Sequence, residues 1–294
     1  MSGSLPGADG RGRAVNAAFD FLRGLARERT GLELGADKGY LLETRLWELL
    51  RREALPSYDA LVAVLRARPH GPLATEVVES LLTSETFFFR DPGTFEVLRR
   101  AVLPALIERR RAERRLRIWC GASATGQEPY SVAMLLAELG DRLAGWDVEV
   151  LATDVSGRAL AYAERGRYSQ LEVNRGLPAR LLTRYFERDA LEWEVRGSVR
   201  ARCRFTQLNL IEGWPALPPI DVALLRNVLI YFDSATKRAV LGRLRKALRP
   251  DGYVFLGGAE TTYNLDEGFE WARFDGGGCY RLRVRPEEET CAVP

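Results

Sequence analysis

Between Val15 and Leu82 the apolar positions recur with helical spacing. In "AAFDFLRGLARE", Phe19, Leu22 and Leu25 share one face. In "KGYLLETRLWELLRRE", Leu42, Leu46, Leu49 and Leu50 form one stripe, with Arg45, Arg51 and Arg52 elsewhere. "PSYDALVAVLRAR" opens with Ser57, a capping residue, and stops before Pro69, and "LATEVVESLL" is a fourth short amphipathic segment. Four such helices predict a small all-α domain. From Leu116 the pattern changes. The apolar runs "LRIWC", "WDVEVLATD", the start of "DVALLRNVLIYF" and "GYVFLGG" read as strands. Helical segments intervene: one from Glu128, then "SGRALAYAERG", then "SATKRAVLGRLRKAL", capped by Ser234 and stopped by Pro250. Strands alternating with helices of this length predict a mostly parallel sheet covered on both faces.

Three segments break that alternation. "EWARFDGGGCYRLRV" reads as an antiparallel C-terminal hairpin turning at Gly276 to Gly278. "LPARLLTRYFERDALEWEVRGSVRARCRFTQLNL" reads as a short helix and two strands turning at Arg196-Gly197-Ser198, an inserted small β-subdomain. In "TSETFFFRDPGTFEVL" the three phenylalanines fit neither period and read as a wedge between two domains. The helix then resumes with Asp91 as cap and Pro92 in its first turn, and Arg109 to Arg115 decorate its solvated end. The expected domains are a disordered tail over 1–14, a helical domain over 15–84, a linker over 85–92, an α/β domain over 93–285 with its β-subdomain at about 170–206, and a second tail over 286–294.

The totals narrow the chemistry. The 294 residues carry 43 basic against 40 acidic side chains, a balance of +3 that lacks the one-sided excess of a nucleic-acid binder. The single histidine, His70, sits in the turn-like "RARPHGPL" and reads as a solvated loop residue, which argues against a Ser-His-Asp triad, a histidine metal site and a histidine general base. None of the four cysteines, Cys120, Cys203, Cys279 and Cys291, belongs to a CxxC pair, so they read as free thiols in a reducing compartment and no metal is expected. No apolar run approaches the ~20 residues that span a bilayer, and "MSGSLPGADGRGR" lacks the apolar core of a signal peptide. The expected location is the cytoplasm.

The stretch "RIWCGASATGQEPYS" carries the site. A buried strand ends in a run of small residues, Gly121 to Gly126, before a helix. Ligands of open parallel sheets sit at the carboxyl ends of the strands, at the switch in strand order. The stretch is neither GxGxxG nor a P-loop, since Gln127-Glu128 stands where a phosphate-holding lysine would. An acid there disfavours a phosphate and suits a cationic amino group. The next strand ends in Asp154, where an acid commonly takes both hydroxyls of an adenosine ribose. A small turn, no phosphate preference and a ribose-binding acid point together to S-adenosylmethionine, though a turn that serves packing alone would also be small.

The segments "SETFFFRDP", "IWCGASATGQEPYSVAM", "ATDVSGRALAYAERGRY", "FTQLNL" and "LLRNVLIYF" occur in that order. With them the chain resembles the chemotaxis receptor methyltransferases of the CheR family from about Leu32 to Leu282. The resemblance implies an α/β class I methyltransferase domain, Rossmann-like, with a small inserted β-subdomain and an N-terminal all-α domain. It implies S-adenosylmethionine as cofactor, S-adenosylhomocysteine as product, and methylation of glutamates on the cytoplasmic helices of methyl-accepting chemotaxis receptors. A methyltransferase of a non-flagellar signalling pathway, or a cofactor-binding scaffold without turnover, stands as the alternative. The implied cofactor contacts are Ser84, Thr86, Arg90, Glu128, Asp154, Asn209, Leu210, Arg226 and Asn227, and the implied catalytic residues around the substrate carboxylate are Arg90, Arg226 and Tyr231. The chain departs from the family's usual pattern at Ser84 (Asn), Gln127 (Glu) and Leu225 (Cys). The short turn at Arg196-Gly197-Ser198 implies a member that does not dock on a receptor's C-terminal pentapeptide. The basic face of Arg45, Arg51 and Arg52 is the candidate surface for the receptor helices.

Overall fold

The computed structural model describes residues 8–35 and 39–283. Residues 1–7 of the first expected tail and the whole of the second, with Cys291, lie outside the described residues. The described residues divide into two compact units: one runs through Thr83 and includes Tyr231–Asp233, and the other holds Ser84–Ile230 and the described residues from Ser234 on.

The first unit contains α1 (Ala8–Thr30), α2 (Gly39–Arg52), α3 (Tyr58–Ala67) and α4 (Pro72–Leu81). Helix α1 thus begins inside the stretch expected as a tail. Phe19, Leu22, Leu25, Leu42, Leu46 and Leu49 are buried in one apolar cluster with Leu61, Leu65, Val77 and Leu81, so the helical stripes meet as their spacing requires. The Ser57 hydroxyl accepts from the Ala60 N–H at 3.2 Å and caps α3. The arginines of α2 are not a free basic face. Arg45 donates to the Leu81 and Leu82 carbonyls at 2.5 and 3.2 Å, satisfying the C-terminal end of α4. Arg52 grips Glu76 with two hydrogen bonds, and Arg51 lies 5.0 Å from the Trp47 ring centre.

The second unit begins with α5 (Pro92–Val97), a π-helical turn over Leu98–Val102, and α6 (Leu103–Arg109). The wide turn answers Pro104, which has no N–H and whose ring would collide with a carbonyl one turn back; the Leu103 N–H reaches the Leu98 carbonyl instead. Then follow β1 (Arg115–Gly121), α7 (Gln127–Glu138), β2 (Asp147–Asp154), α8 (Gly157–Arg165), β3 (Arg167–Ser169), α9 (Gln170–Asn174), α10 (Ala179–Tyr185), β4 (Phe186–Asp189), β5 (Glu192–Val195), α11 (Gly197–Arg200), β6 (Cys203–Gln207), β7 (Ile220–Leu225), α12 (Ser234–Ala247), β8 (Leu248–Leu256), β9 (Phe269–Phe274) and β10 (Gly277–Leu282). The main sheet has the order β6-β2-β1-β7-β8-β10-β9. Its first five strands run parallel, and β9 and β10 close it as the antiparallel hairpin. The strand order reverses at β1, between β2 and β7, so the tips of these three strands frame the switch point.

Several sequence expectations are corrected. The hairpin of the small sheet β3-β5-β4 turns at Ala190-Leu191, with Ala190 at φ 51°, and not at Arg196-Gly197-Ser198. The glycine at 197 has an ordinary backbone and opens α11, which buries Val199. Strand β6 leaves the subdomain altogether and pairs with β2 as the parallel edge of the main sheet. Phe88 and Phe89 are not a wedge between domains but core of the second unit: Phe88 meets Tyr168 and Phe186 edge-on at 5.0 and 5.6 Å, and Phe89 meets Phe95 at 5.1 Å. Asp91 caps nothing; its backbone is left-handed at φ 59° and its carboxylate turns elsewhere. Arg110, expected in a solvated run, is buried and donates to Asp221 at 2.8 Å and to Asp251 at 3.0 Å.

Gly176 shows how tightly this core is closed. It sits at φ 85°, and a Cβ there would lie 2.1 Å from the Phe88 carbonyl oxygen. Gly140, at φ 52°, has open space around it. Gly140→Ala should cost only its backbone strain, about 1 kcal/mol. Gly176→Ala should cost a further ~1–3 kcal/mol from overpacking. Urea denaturation midpoints of the two variants should separate accordingly; equal losses would mean that the Phe88 backbone yields without penalty.

Candidate active site

The loop after β1 is held in an uncommon conformation. Ala122 and Ala124 are left-handed at φ 54° and 48°, and Gly126 follows at φ 93°. Alanine has no intrinsic liking for that region, so the surroundings must impose it. The Ser123 N–H donates to the Thr153 carbonyl at 2.9 Å and the Ala124 N–H to Asp154 Oδ2 at 2.8 Å. The Tyr168 hydroxyl donates to the Thr125 carbonyl at 2.8 Å from the small sheet.

The glycines of this loop answer to protein, not ligand. A Cβ on Gly121 would lie 2.8 Å from Trp119 and 2.9 Å from Leu225, and one on Gly126 would lie 2.7 Å from the Ala163 Cβ. Their smallness is demanded by packing, which corrects the expectation that a close ligand explains the whole stretch. Ala122 remains only half-buried. Ser123 is 2 % exposed, and its Oγ has no hydrogen-bond partner. A buried hydroxyl without a partner is uncommon and marks a place where a polar group belongs.

Asp154 ends β2, 8 % exposed. Besides Ala124, its carboxylate accepts from the Ser156 N–H at 2.9 Å, so the acid expected at the ribose also fastens the glycine loop to the start of α8. The Leu208 N–H donates to the Asp154 carbonyl at 3.0 Å and brings Asn209 and Leu210 to the same strand tip. There the Asn209 amide donates to Glu212 at 2.7 Å, and the Leu210 carbonyl accepts from the Trp214 indole at 3.1 Å.

Glu128 and Arg226, expected as separate contacts, spend their charges on each other. Glu128 lies in the first turn of α7, where the helix dipole favours an acid, and its Oε2 is 2.7 Å from Arg226 Nη1. Arg226 Nη2 reaches the Arg90 carbonyl at 2.7 Å and Asp91 Oδ2 at 2.5 Å. The Arg226 side chain is 1 % exposed, and its Nε has no partner. Burial pushes the Glu128 carboxyl above its ordinary range, and the Arg226 guanidinium opposes that shift. Burial also works against the charge on Arg226, but Glu128 and Asp91 outweigh it and hold the guanidinium protonated.

The other expected residues lie as follows. Arg90 is half-buried, donates to the Glu85 carbonyl at 3.1 Å, and leans over Phe87. Ser84 and Thr86 line a pocket of about 330 Å³ with Thr125 and Gln127. Asn227 follows β7 in the left-handed region at φ 58°. Tyr231 belongs to the helical unit: its ring packs on that unit's apolar cluster and its carbonyl accepts from the Glu33 N–H at 2.9 Å. Sequence reasoning passed over Glu260, whose carboxylate accepts from the Asn227 and Val228 N–H groups at 2.8 Å each. The only signal was an acid in the turn "GGAETTY" after a strand.

Removing one member of a buried ion pair strands the other. Glu128→Ala should therefore destabilise the protein by about 3–5 kcal/mol, and Glu128→Gln, which keeps an acceptor for Arg226, by less. Urea unfolding at constant slope measures both; equal loss in the two variants would show that the charge itself, and not the shape or acceptor that Gln retains, is what matters at 128.

Residues 84–275 match the family model described as "CheR methyltransferase, SAM binding domain", and residues 17–82 match "CheR methyltransferase, all-alpha domain". The chain is 38% identical over 276 residues to chemotaxis protein methyltransferase 1 of Pseudomonas aeruginosa, covering 92% of this chain and 99% of that one. It is 35% identical over 274 residues to chemotaxis protein methyltransferase Cher2 of Pseudomonas putida, covering 91% and 98%. The cofactor is S-adenosylmethionine, and the residues fit it. An acid stands at the tip of β2, a buried hydroxyl without a partner lies in the loop after β1, and Glu128 stands where a phosphate ligand would need lysine. With its helical unit and its sheet unit each matched, this chain belongs to the CheR methyltransferase family as an S-adenosylmethionine-dependent methyltransferase.

Proposed function

We propose that this protein esterifies glutamate side chains on the cytoplasmic helices of methyl-accepting chemotaxis receptors. The observation that carries the reading is the kind of chemistry the chain is equipped for. Its only histidine is His70, exposed in the helical unit with Nδ1 at 2.7 Å from Arg29, and the switch point is furnished with arginine, acids and amides. Such a set suits a nucleophile that is already ionised. A glutamate carboxylate, with pKa near ~4.3, is an anion at neutral pH and needs no base. Relatives named as chemotaxis protein methyltransferases, matched over nearly their whole lengths, support the receptor as substrate. Cytoplasmic receptor helices would put the reaction in the cytoplasm, and among the described residues no helix is long and apolar enough to cross a membrane.

Bound S-adenosylmethionine supplies a methyl group on a sulfonium, a good leaving group that departs as thioether with the S–CH3 electron pair. The chain's task is to bring a carboxylate oxygen in line with that carbon at about 3 Å. Charge disappears as ester and thioether form, so groups that grip the anion too firmly would stabilise reactants more than the transition state. Arg226 meets that constraint by being spent on Glu128, Asp91 and the Arg90 carbonyl, which leaves Arg90 as the better candidate to hold one carboxylate oxygen. Asp154 would take the ribose hydroxyls. The β4–β5 connection is only Ala190-Leu191, which supports approach to the receptor without a pentapeptide tether.

Incubation with methyl-labelled S-adenosylmethionine and receptor cytoplasmic fragments should give label that alkali releases, as carboxyl esters require; alkali-stable label would mean another acceptor. The transfer rate should stay nearly flat from pH ~6 to ~8. A bell centred near neutrality would reveal a base. Asp154→Ala should weaken S-adenosylhomocysteine binding about 10- to 100-fold in calorimetry, the scale of a lost charged hydrogen bond. An unchanged affinity would move the ribose elsewhere.

A further inference from the structure

The segment that follows β7 has no sheet to hold it. The parallel ladder between β7 and β8 ends at Leu225 opposite Leu256, and the chain then runs through Arg226, Asn227 and Val228 with Asn227 left-handed at φ 58°. Backbone N–H groups in such a place need acceptors. One carboxylate provides them. Glu260 Oε2 accepts from the Gly257 N–H at 2.6 Å and the Asn227 N–H at 2.8 Å, and Oε1 accepts from the Val228 N–H at 2.8 Å and the Ile230 N–H at 3.3 Å. The Glu260 N–H closes its own turn on the Gly257 carbonyl at 2.9 Å.

Gly257 makes this grip possible. A Cβ there would lie 2.7 Å from the Asn227 Nδ2, 2.7 Å from Glu260 Oε2 and 2.9 Å from the Asn227 backbone nitrogen. The two strand ends therefore approach as closely as backbones can, with a bare carboxylate shared between them. Two of the four donors belong to Asn227 and Val228, and the residue immediately before them is Arg226, whose side chain carries the bond to Glu128. A carboxylate accepting several backbone N–H groups is a rigid, directional support, and small errors in such a support are felt strongly by what it positions.

We infer that Glu260 is a positioning residue for the methyl-transfer site: its carboxylate sets the backbone of Asn227 and Val228, and through it the side chain that Asn227 presents to the cofactor. The inference rests on the reading of Asn227 as a cofactor contact. It does not rest on the identity of the methyl acceptor.

Glu260→Gln tests it. The amide keeps the length and one acceptor oxygen but turns an NH2 toward two N–H donors, so half of the grip becomes repulsive. The affinity for S-adenosylhomocysteine, measured by calorimetry on protein verified as folded by circular dichroism, should fall about 10- to 100-fold. Amide hydrogen exchange at Asn227 and Val228 should accelerate while the strands of the main sheet keep their protection. Glu260→Asp, which retains the charge but is one methylene shorter, should fold and fall between Gln and wild type. Wild-type affinity in both variants, or a loss that tracks only the folded fraction with Asn227 exchange unchanged, would overturn the assignment. Cofactor binding is read here without any receptor. A wild-type protein that binds S-adenosylhomocysteine but esterifies no receptor glutamate would therefore sink the proposed substrate and leave the Glu260 test standing.

Discussion

The switch point of the sheet unit is organised around a buried charge. The Arg226 guanidinium is shut away from water at the tip of β7, and three neighbours answer it: Glu128 at the first turn of α7, the Asp91 carboxylate and the Arg90 carbonyl. Taking a guanidinium out of water is expensive, and a pair of this kind is often no more stable than apolar residues filling the same volume. What it provides is direction. A planar cation with fixed donors can satisfy α7, the segment before α5 and β7 in only one relative arrangement. The three segments that meet at Arg226 are thereby set against each other before any ligand arrives.

The same economy explains the loop after β1. Its glycines are consumed by Trp119, Leu225 and Ala163, and its alanines are held in a conformation they do not favour by hydrogen bonds that the loop donates to Thr153 and Asp154 and accepts from Tyr168. Asp154 accordingly has two employments. It is the acid suited to a ribose, and it is also an acceptor that keeps the loop in place. Preorganisation of this sort places the ordering cost in folding and not in binding, which is where a transfer reaction needing in-line geometry benefits from it.

The helical unit follows different rules. Its core is the meeting of apolar stripes, and its arginines are largely committed to its own helices: Arg45 to the end of α4 and Arg52 to Glu76. Exposed pairs such as the latter are screened by water and stabilise little.

Much of this was legible in the chain. Helical spacing foretold the four helices because burial of a stripe is a local, periodic demand. Alternating strands and helices foretold the parallel sheet, and Asp154 stood where a strand must end. What escaped were features decided by partners distant in sequence. Arg196-Gly197-Ser198 looked like a turn, yet the turn fell at Ala190-Leu191, because burial of Val199 made α11 the better use of that segment. Asp91 looked like a helix cap until Arg226, 135 residues away, claimed its carboxylate. Phe88 and Phe89 had no period to betray them, since each fills a hole made by residues scattered from Phe95 to Phe186. Sequence by itself determined which elements form and what type of cofactor they suit, because hydrophobic period and strand-end chemistry are written residue by residue. Only the tertiary structure decided how charges pair and which backbone groups find acceptors, because Arg226, Glu128 and Glu260 acquire their roles from neighbours that the linear order keeps far apart.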